Sequence, residues 1–181
     1  MAKVVLGLLA AGAVALLAVT RAWATATVST PGLPTDTVSV SGTDAAPILA
    51  GLAVVVVAGG LAIVAAGGWF RQLVGLLVAA VAGFAALRAL TLDAGGVTLG
   101  RALRDSPAYL GGVRPEVATG PWPWLAALAF ALACVLGVIV VARGRGWARM
   151  SARYEREPQP VEATDDGELW RAQDRGQDPT A

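Results

Sequence analysis

At 181 residues, with 56% hydrophobic and only 15% charged residues and a mean hydropathy of +0.63, the chain is too apolar for a water-soluble domain of its size. Histidine is absent and Cys134 is the single cysteine, which removes His-based acid–base catalysis, His-ligated metals, Cys-His nucleophiles and intrachain disulfides. The formal charge of only +1 leaves nucleic acid outside the expected partners.

The first apolar run, residues 4–19, reads as a spanning helix over 4–23 if Arg21 snorkels and Trp23 sits at headgroup depth. A competing reading is a secretory signal, with Lys3 as its basic start and Ala22-Trp23-Ala24 as a small-x-small cleavage site. Arg21 beside that site and the further apolar spans downstream favour an uncleaved first helix. The polar loop 24–46 has alternating stretches at 25–29 and 37–41 around Pro31-Gly32-Leu33-Pro34, the pattern of a small β-hairpin with a broad turn. It is either an outer cap that binds a ligand or a connector that satisfies its own backbone near the membrane surface.

The second run, 48–70, opens after Pro47. The third, 73–92, follows the two-residue turn Arg71-Gln72, so the two spans form an antiparallel hairpin. Arg88 lies near the far end of the third span, where it either snorkels to the interface or plays an ionic role inside the bundle. The outer loop 93–120 is rich in glycine, carries a short helical pattern over 99–105, and balances Arg101, Arg104 and Arg114 with Asp93, Asp105 and Glu116. The fourth run, 122–142, begins with Trp122 and Trp124 as interface anchors. Small residues recur every fourth position in each span: Gly7, Ala11, Ala15; Ala58, Ala62, Ala66; Gly75, Ala79, Gly83; Ala129, Ala133, Gly137. Such stripes mark faces where helix backbones approach closely in lipid.

Positive charge concentrates after the fourth span, in Arg143, Arg145, Arg149, Arg153 and Arg156. With Lys3 and Arg71, this cluster places both termini in the cytoplasm by the positive-inside rule. Trp69 and Trp147 then mark the inner interface and Trp23, Trp122 and Trp124 the outer one. Over 143–156 the arginines Arg145, Arg149, Arg153 and Arg156 share one helical face, opposite Trp147, Met150 and Tyr154, as in an amphipathic helix lying on anionic lipid headgroups. Its plainer role is that of a stop-transfer cluster. Glu157-Pro158-Gln159-Pro160 opens a linker too polar to fold. A short helical signal follows, with Asp165 and Glu168 as a capping box, Leu169 and Trp170 as its bulk, and Gly176 and Pro179 as its stop. Leu169 and Trp170 are candidates to dock a cytoplasmic partner.

The pattern is that of a mainly α integral membrane protein, a four-transmembrane-helix bundle with a small extracytoplasmic β-hairpin and a partly disordered cytoplasmic tail. Its domains are 1–142, 143–156 and 157–181. No phosphate-binding loop, nucleophile elbow or metal-ligand cluster is present, and the four apolar cores hold no Asp, Glu or Lys that could couple transport to protons. The expectation is therefore a protein without enzymatic activity, cofactor or metal.

Several segments together resemble the actinobacterial tryptophan-associated transmembrane proteins. They are 147–156, with Met150-Ser151-Ala152-Arg153-Tyr154-Glu155; Leu169-Trp170-x-x-x-Asp174-x-Gly176-x-Asp178-Pro179-Thr180; Ser41-Gly42-Thr43-Asp44-Ala45-Ala46-Pro47; and Arg21-x-Trp23. The resemblance implies a small four-span protein of the bacterial cytoplasmic membrane, encoded beside tryptophan-biosynthesis genes, and supplies no catalytic or binding residues. Two roles follow as expectations. One is an accessory or scaffold protein whose partners are the bilayer, anionic lipid headgroups and a cytoplasmic protein held by the tail; the other is an oligomeric transport component for tryptophan or a related aromatic solute, with a second copy of the chain as partner.

Overall fold

The computed structural model describes residues 1–109, 114–146 and 174–175. The chain divides into two compact units, Met1–Trp147 and Ala148–Ala181, and of the second only Asp174 and Arg175 are among the described residues. Among the described residues, four helices are long and apolar enough to cross a membrane: α1 (Ala2–Thr20), α3 (Ile48–Ala65), α4 (Gly68–Thr91) and α6 (Trp122–Arg143). At 1.5 Å per residue they measure about 27 to 36 Å, against a hydrocarbon core of about 30 Å. Two shorter helices, α2 (Gly42–Ala45) and α5 (Ala94–Asp105), belong to the connections.

The spanning helices pack as a ring in the order α1, α3, α4, α6, each touching two neighbours. Glycine permits every one of these contacts. A Cβ on Gly7 would meet Leu136 of α6, one on Gly12 would meet Val57 of α3, one on Gly59 would meet Val78 of α4, and one on Gly137 would meet the backbone of Ala79. Dispersion between closely approaching backbones drives helix association in lipid, where no hydrophobic gradient exists. The expected small-residue stripes on α4 and α6 face inward, as do Ala11 and Ala15 of α1. That on α3 does not: Ala58 and Ala62 point outward, and the buried face is Leu49, Ala53, Val56, Gly59, Gly60 and Ile63. With apolar residues all round this helix, spacing alone could not choose its inner face. Leu6, Leu61, Leu76, Leu87 and Leu128 stand more than half exposed around the ring, an apolar belt of the kind a membrane-spanning bundle presents to its surroundings.

Among the spanning helices, boundaries depart from the sequence reading most at the end of the first span and at the turn between the second and third. The first span ends at Thr20 rather than at residue 23, because Arg21 turns extended and Ala22 already begins a strand. The turn between the second and third spans falls at Ala66 and Gly67, not at Arg71-Gln72. Gly68 there has φ +56°, a conformation that side-chain-bearing residues rarely adopt, so the paired glycines set the reversal. Trp69 through Gln72 consequently form the first turn and a half of α4.

On the side where α1 and α4 end and α3 and α6 begin, the connections build a cap. Strand β1 (Ala22–Val28) pairs antiparallel with β2 (Asp36–Ser41), as the alternating hairpin pattern predicts. A third strand, β3 (Glu116–Thr119), pairs with the other edge of β1, giving the order β2-β1-β3. Four residues with no turn signature are too short a signal to separate from the surrounding loop. Helix α5, longer than the expected 99–105, covers one face of the sheet, where Ala102 and Ala108 pack with Ala26 and Val28. Side-chain bonds hold this layer down: Ser106 Oγ donates to Asp36 Oδ2 at 2.6 Å and Thr30 Oγ1 to the Ala108 carbonyl at 2.6 Å.

Candidate functional site

The four interface tryptophans within the described residues separate into two groups. Trp69, near the start of α4, and Trp124, near the start of α6, are 66% and 67% exposed at opposite ends of the bundle. Trp69 meets Phe70 edge-on, with ring centroids 6.3 Å apart. Trp122 is half-buried, with the Arg21 guanidinium 5.7 Å from its ring centroid. Arg88 is exposed one turn before the end of α4, the position from which its stem reaches the interface.

Trp23 is a correction: it is not an interface anchor. It is fully buried in β1, and its indole N–H donates to the Ala18 carbonyl at 2.9 Å. The Ala18 carbonyl, which also accepts the Arg21 backbone N–H at 3.3 Å where α1 ends, thereby gains a second donor. Gly42 leaves room for the ring, since a Cβ there would fall 2.5 Å from its Cε2 atom. Trp23 thus seals the bundle against the sheet. Beside it, Ser41 and Asp44 form a capping box, with the Ser41 hydroxyl 2.6 Å and its backbone N–H 3.1 Å from Asp44 Oδ2. These two bonds, the hydroxyl's first, hold the Asp44 carboxyl below the ordinary carboxylate range.

At the other end of the bundle, Arg71 is only 2% exposed. Its Nε donates to the carbonyls of Ala66 at 3.0 Å and Ile63 at 3.3 Å, and its Nη1 to Gly144 at 3.2 Å. Gln72 adds a bond from Nε2 to the Val141 carbonyl at 2.6 Å. The guanidinium therefore lies where α3 and α6 both end, bonding carbonyls at their C-terminal ends beside the negative poles of two helix dipoles. Charge counting treats Arg71 as a solvated turn residue; the signal that could have located it is the Gly67-Gly68 pair, which moves it inside α4.

A cleft of about 170 Å³ opens where α4 ends and α6 begins, lined on its lipid side by Leu90, Pro123 and Trp124 and on its cap side by Asp93, Gly95 and Thr119. Asp93 caps α5, its Oδ1 accepting from the Gly96 N–H at 2.9 Å. Arg145 contributes its backbone to a 3-10 turn, Gly144–Gly146, after α6. Trp147, Arg149, Arg153, Leu169 and Trp170, with the amphipathic helix, linker and tail they belong to, lie outside the described residues. Among the described residues, no three His, Cys, Asp or Glu side chains are grouped to hold a metal ion.

An apolar four-helix ring, bounded at one end by a small sheet and at the other by a buried arginine, defines a multi-pass membrane protein. The chain belongs to the Tryptophan-associated transmembrane protein family, whose model matches residues 5–180. No curated protein and no solved structure gives a match.

Proposed function

We propose that the chain is a non-enzymatic accessory protein of the bacterial cytoplasmic membrane, a scaffold whose bundle anchors a tail that engages a cytoplasmic protein through Leu169 and Trp170. The observation that carries this reading is the packing of the ring. A glycine lies at each of the four helix contacts, against partner backbone at Gly12 and Gly137 and against the side chains of Leu136 and Val78 at Gly7 and Gly59, and the four helices hold no Asp or Glu. A solute-coupled carrier instead needs an ionisable group or unwound backbone facing a path near the midplane. The buried charge of Arg71 sits at a helix end and bonds backbone carbonyls. Arginines 143, 145, 149, 153 and 156 support a cytoplasmic position for both termini, next to anionic headgroups.

Two measurements test this. Protein purified and reconstituted alone should carry no tryptophan across a vesicle membrane, while a defined cytoplasmic protein should co-purify with the wild-type chain and be lost from Trp170→Ala; saturable flux by the protein alone would establish the transport role instead. In a Cys134→Ala background, an impermeant thiol reagent should label Ser39→Cys in intact cells and Gly67→Cys only after permeabilisation. The reverse pattern would invert the orientation.

A further inference from the structure

The geometry points to a binding site for a primary-amine lipid headgroup, of the phosphatidylethanolamine type, in the cleft between the end of α4, the start of α5, β3 and the start of α6. Two spanning helices terminate at its rim, which puts the cleft at the boundary between hydrocarbon and water. Its sides differ in kind. Leu90 and Trp124, 52% and 67% exposed, form lips along which acyl chains can descend, whereas Asp93 and Thr119 line the cap side. The volume of about 170 Å³ is that of a few water-sized groups, enough for a small headgroup and too little for a whole lipid.

Charge selects the headgroup. Among the described residues, Asp93 is the only ionisable side chain lining the cleft. Its Oδ1 accepts one bond from Gly96, and a carboxylate has about four acceptor positions, so capacity remains for an ammonium. A primary ammonium brings three N–H donors to share between Asp93 and the Thr119 hydroxyl, and the exposed indole of Trp124 attracts the same charge. Choline lacks those donors. An anionic glycerol headgroup would meet the carboxylate with repulsion.

The site can be tested independently of the accessory role, because its readout is lipid retention by the full-length chain rather than flux or partner binding. Two substitutions probe it. Asp93→Asn removes the charge but keeps an oxygen that caps α5 equally well. Gly95→Ala places a methyl group 3.4 Å from Asp93 Oδ1 and 3.6 Å from Thr119 Cγ2, ordinary contacts that occupy the space between them. In nanodiscs of mixed phosphatidylethanolamine, phosphatidylcholine and phosphatidylglycerol, native mass spectrometry should find the ethanolamine lipid retained preferentially by the wild type. Because Asp93 is exposed, each variant should lower that preference by about threefold, the loss expected for one solvent-screened ion pair, with melting unchanged. Equal retention of the three lipids by the wild type, or an undiminished preference in Asp93→Asn, would overturn the assignment. Soluble phosphoethanolamine is the second arm: if it binds while the wild type shows no lipid preference, the amine comes from a free solute and the lipid site is refuted.

Discussion

Replacing Gly137 by alanine should loosen the seam between α4 and α6. The added Cβ would stand 2.8 Å from the Ala79 nitrogen and 3.0 Å from its Cα and Cβ, whereas carbon contacts settle at about 3.5 to 4.0 Å. Two of those three atoms are backbone, so no rotamer change relieves the overlap, and the helices must separate locally by about 0.7 Å. A gap of that size forfeits about a third of each well of about 0.15 kcal/mol, so about forty atom pairs along the seam lose about 2 kcal/mol. Alanine also gains up to about 1 kcal/mol of helix propensity over glycine, which masks part of this cost. Gly83→Ala, on α4 and facing the same seam, supplies the control. Its Cβ would lie 3.5 Å from Cys134 Sγ, an ordinary contact, so it takes the propensity gain without the separation. The difference between the two variants in SDS-induced unfolding from mixed micelles isolates the packing term and should be about 2 kcal/mol, Gly137→Ala being the less stable. Agreement of the two within about 0.5 kcal/mol would refute backbone apposition as what holds these helices together.

Single-tryptophan variants should divide by location: brominated lipids should quench Trp69 and Trp124 strongly and leave Trp23 bright, and equal quenching of Trp23 would return it to the interface. Trp23→Phe should cost about 1 kcal/mol through loss of the bond to the Ala18 carbonyl. Arg71→Lys should destabilise the bundle by roughly 2 kcal/mol in the same SDS titration, because an ammonium lacks the planar fork that reaches the carbonyls of Ala66, Ile63 and Gly144 together; stability equal to wild type would show that charge alone suffices. Because Asp44 is held below the ordinary carboxylate range by Ser41, its capping contribution is complete above about pH 4 and fades as pH falls through the lowered folded value. The protection factor of the Asp44 amide, its exchange rate taken relative to the unstructured chain at the same pH, should therefore fall at low pH, and Asp44→Asn should flatten that profile.

Span number and the hairpin were legible in the sequence because each rests on a local rule. About twenty apolar residues can cross a bilayer whatever surrounds them, and the alternation around 25–29 and 37–41 needs only its own turn to pair, as β1 and β2 do. The exposure of Trp69 and Trp124 follows from the same locality, since both stand near the start of a spanning helix. Tertiary structure decided what depends on distant partners. Trp23 has the composition of an anchor and becomes a seal only because the end of α1 presents the Ala18 carbonyl and Gly42 vacates space for the ring. Arg71 reads as a solvated turn residue until Gly67 and Gly68 reverse the chain and the ends of α3 and α6 bring it carbonyl groups. Which face of α3 turns inward, and whether 116–119 becomes a strand, are settled by neighbours far along the chain, α1 and α4 in one case and β1 in the other. A helix that is apolar all round and a four-residue strand carry almost no preference of their own, so the packing of the assembled ring and the open edge of β1 make both choices.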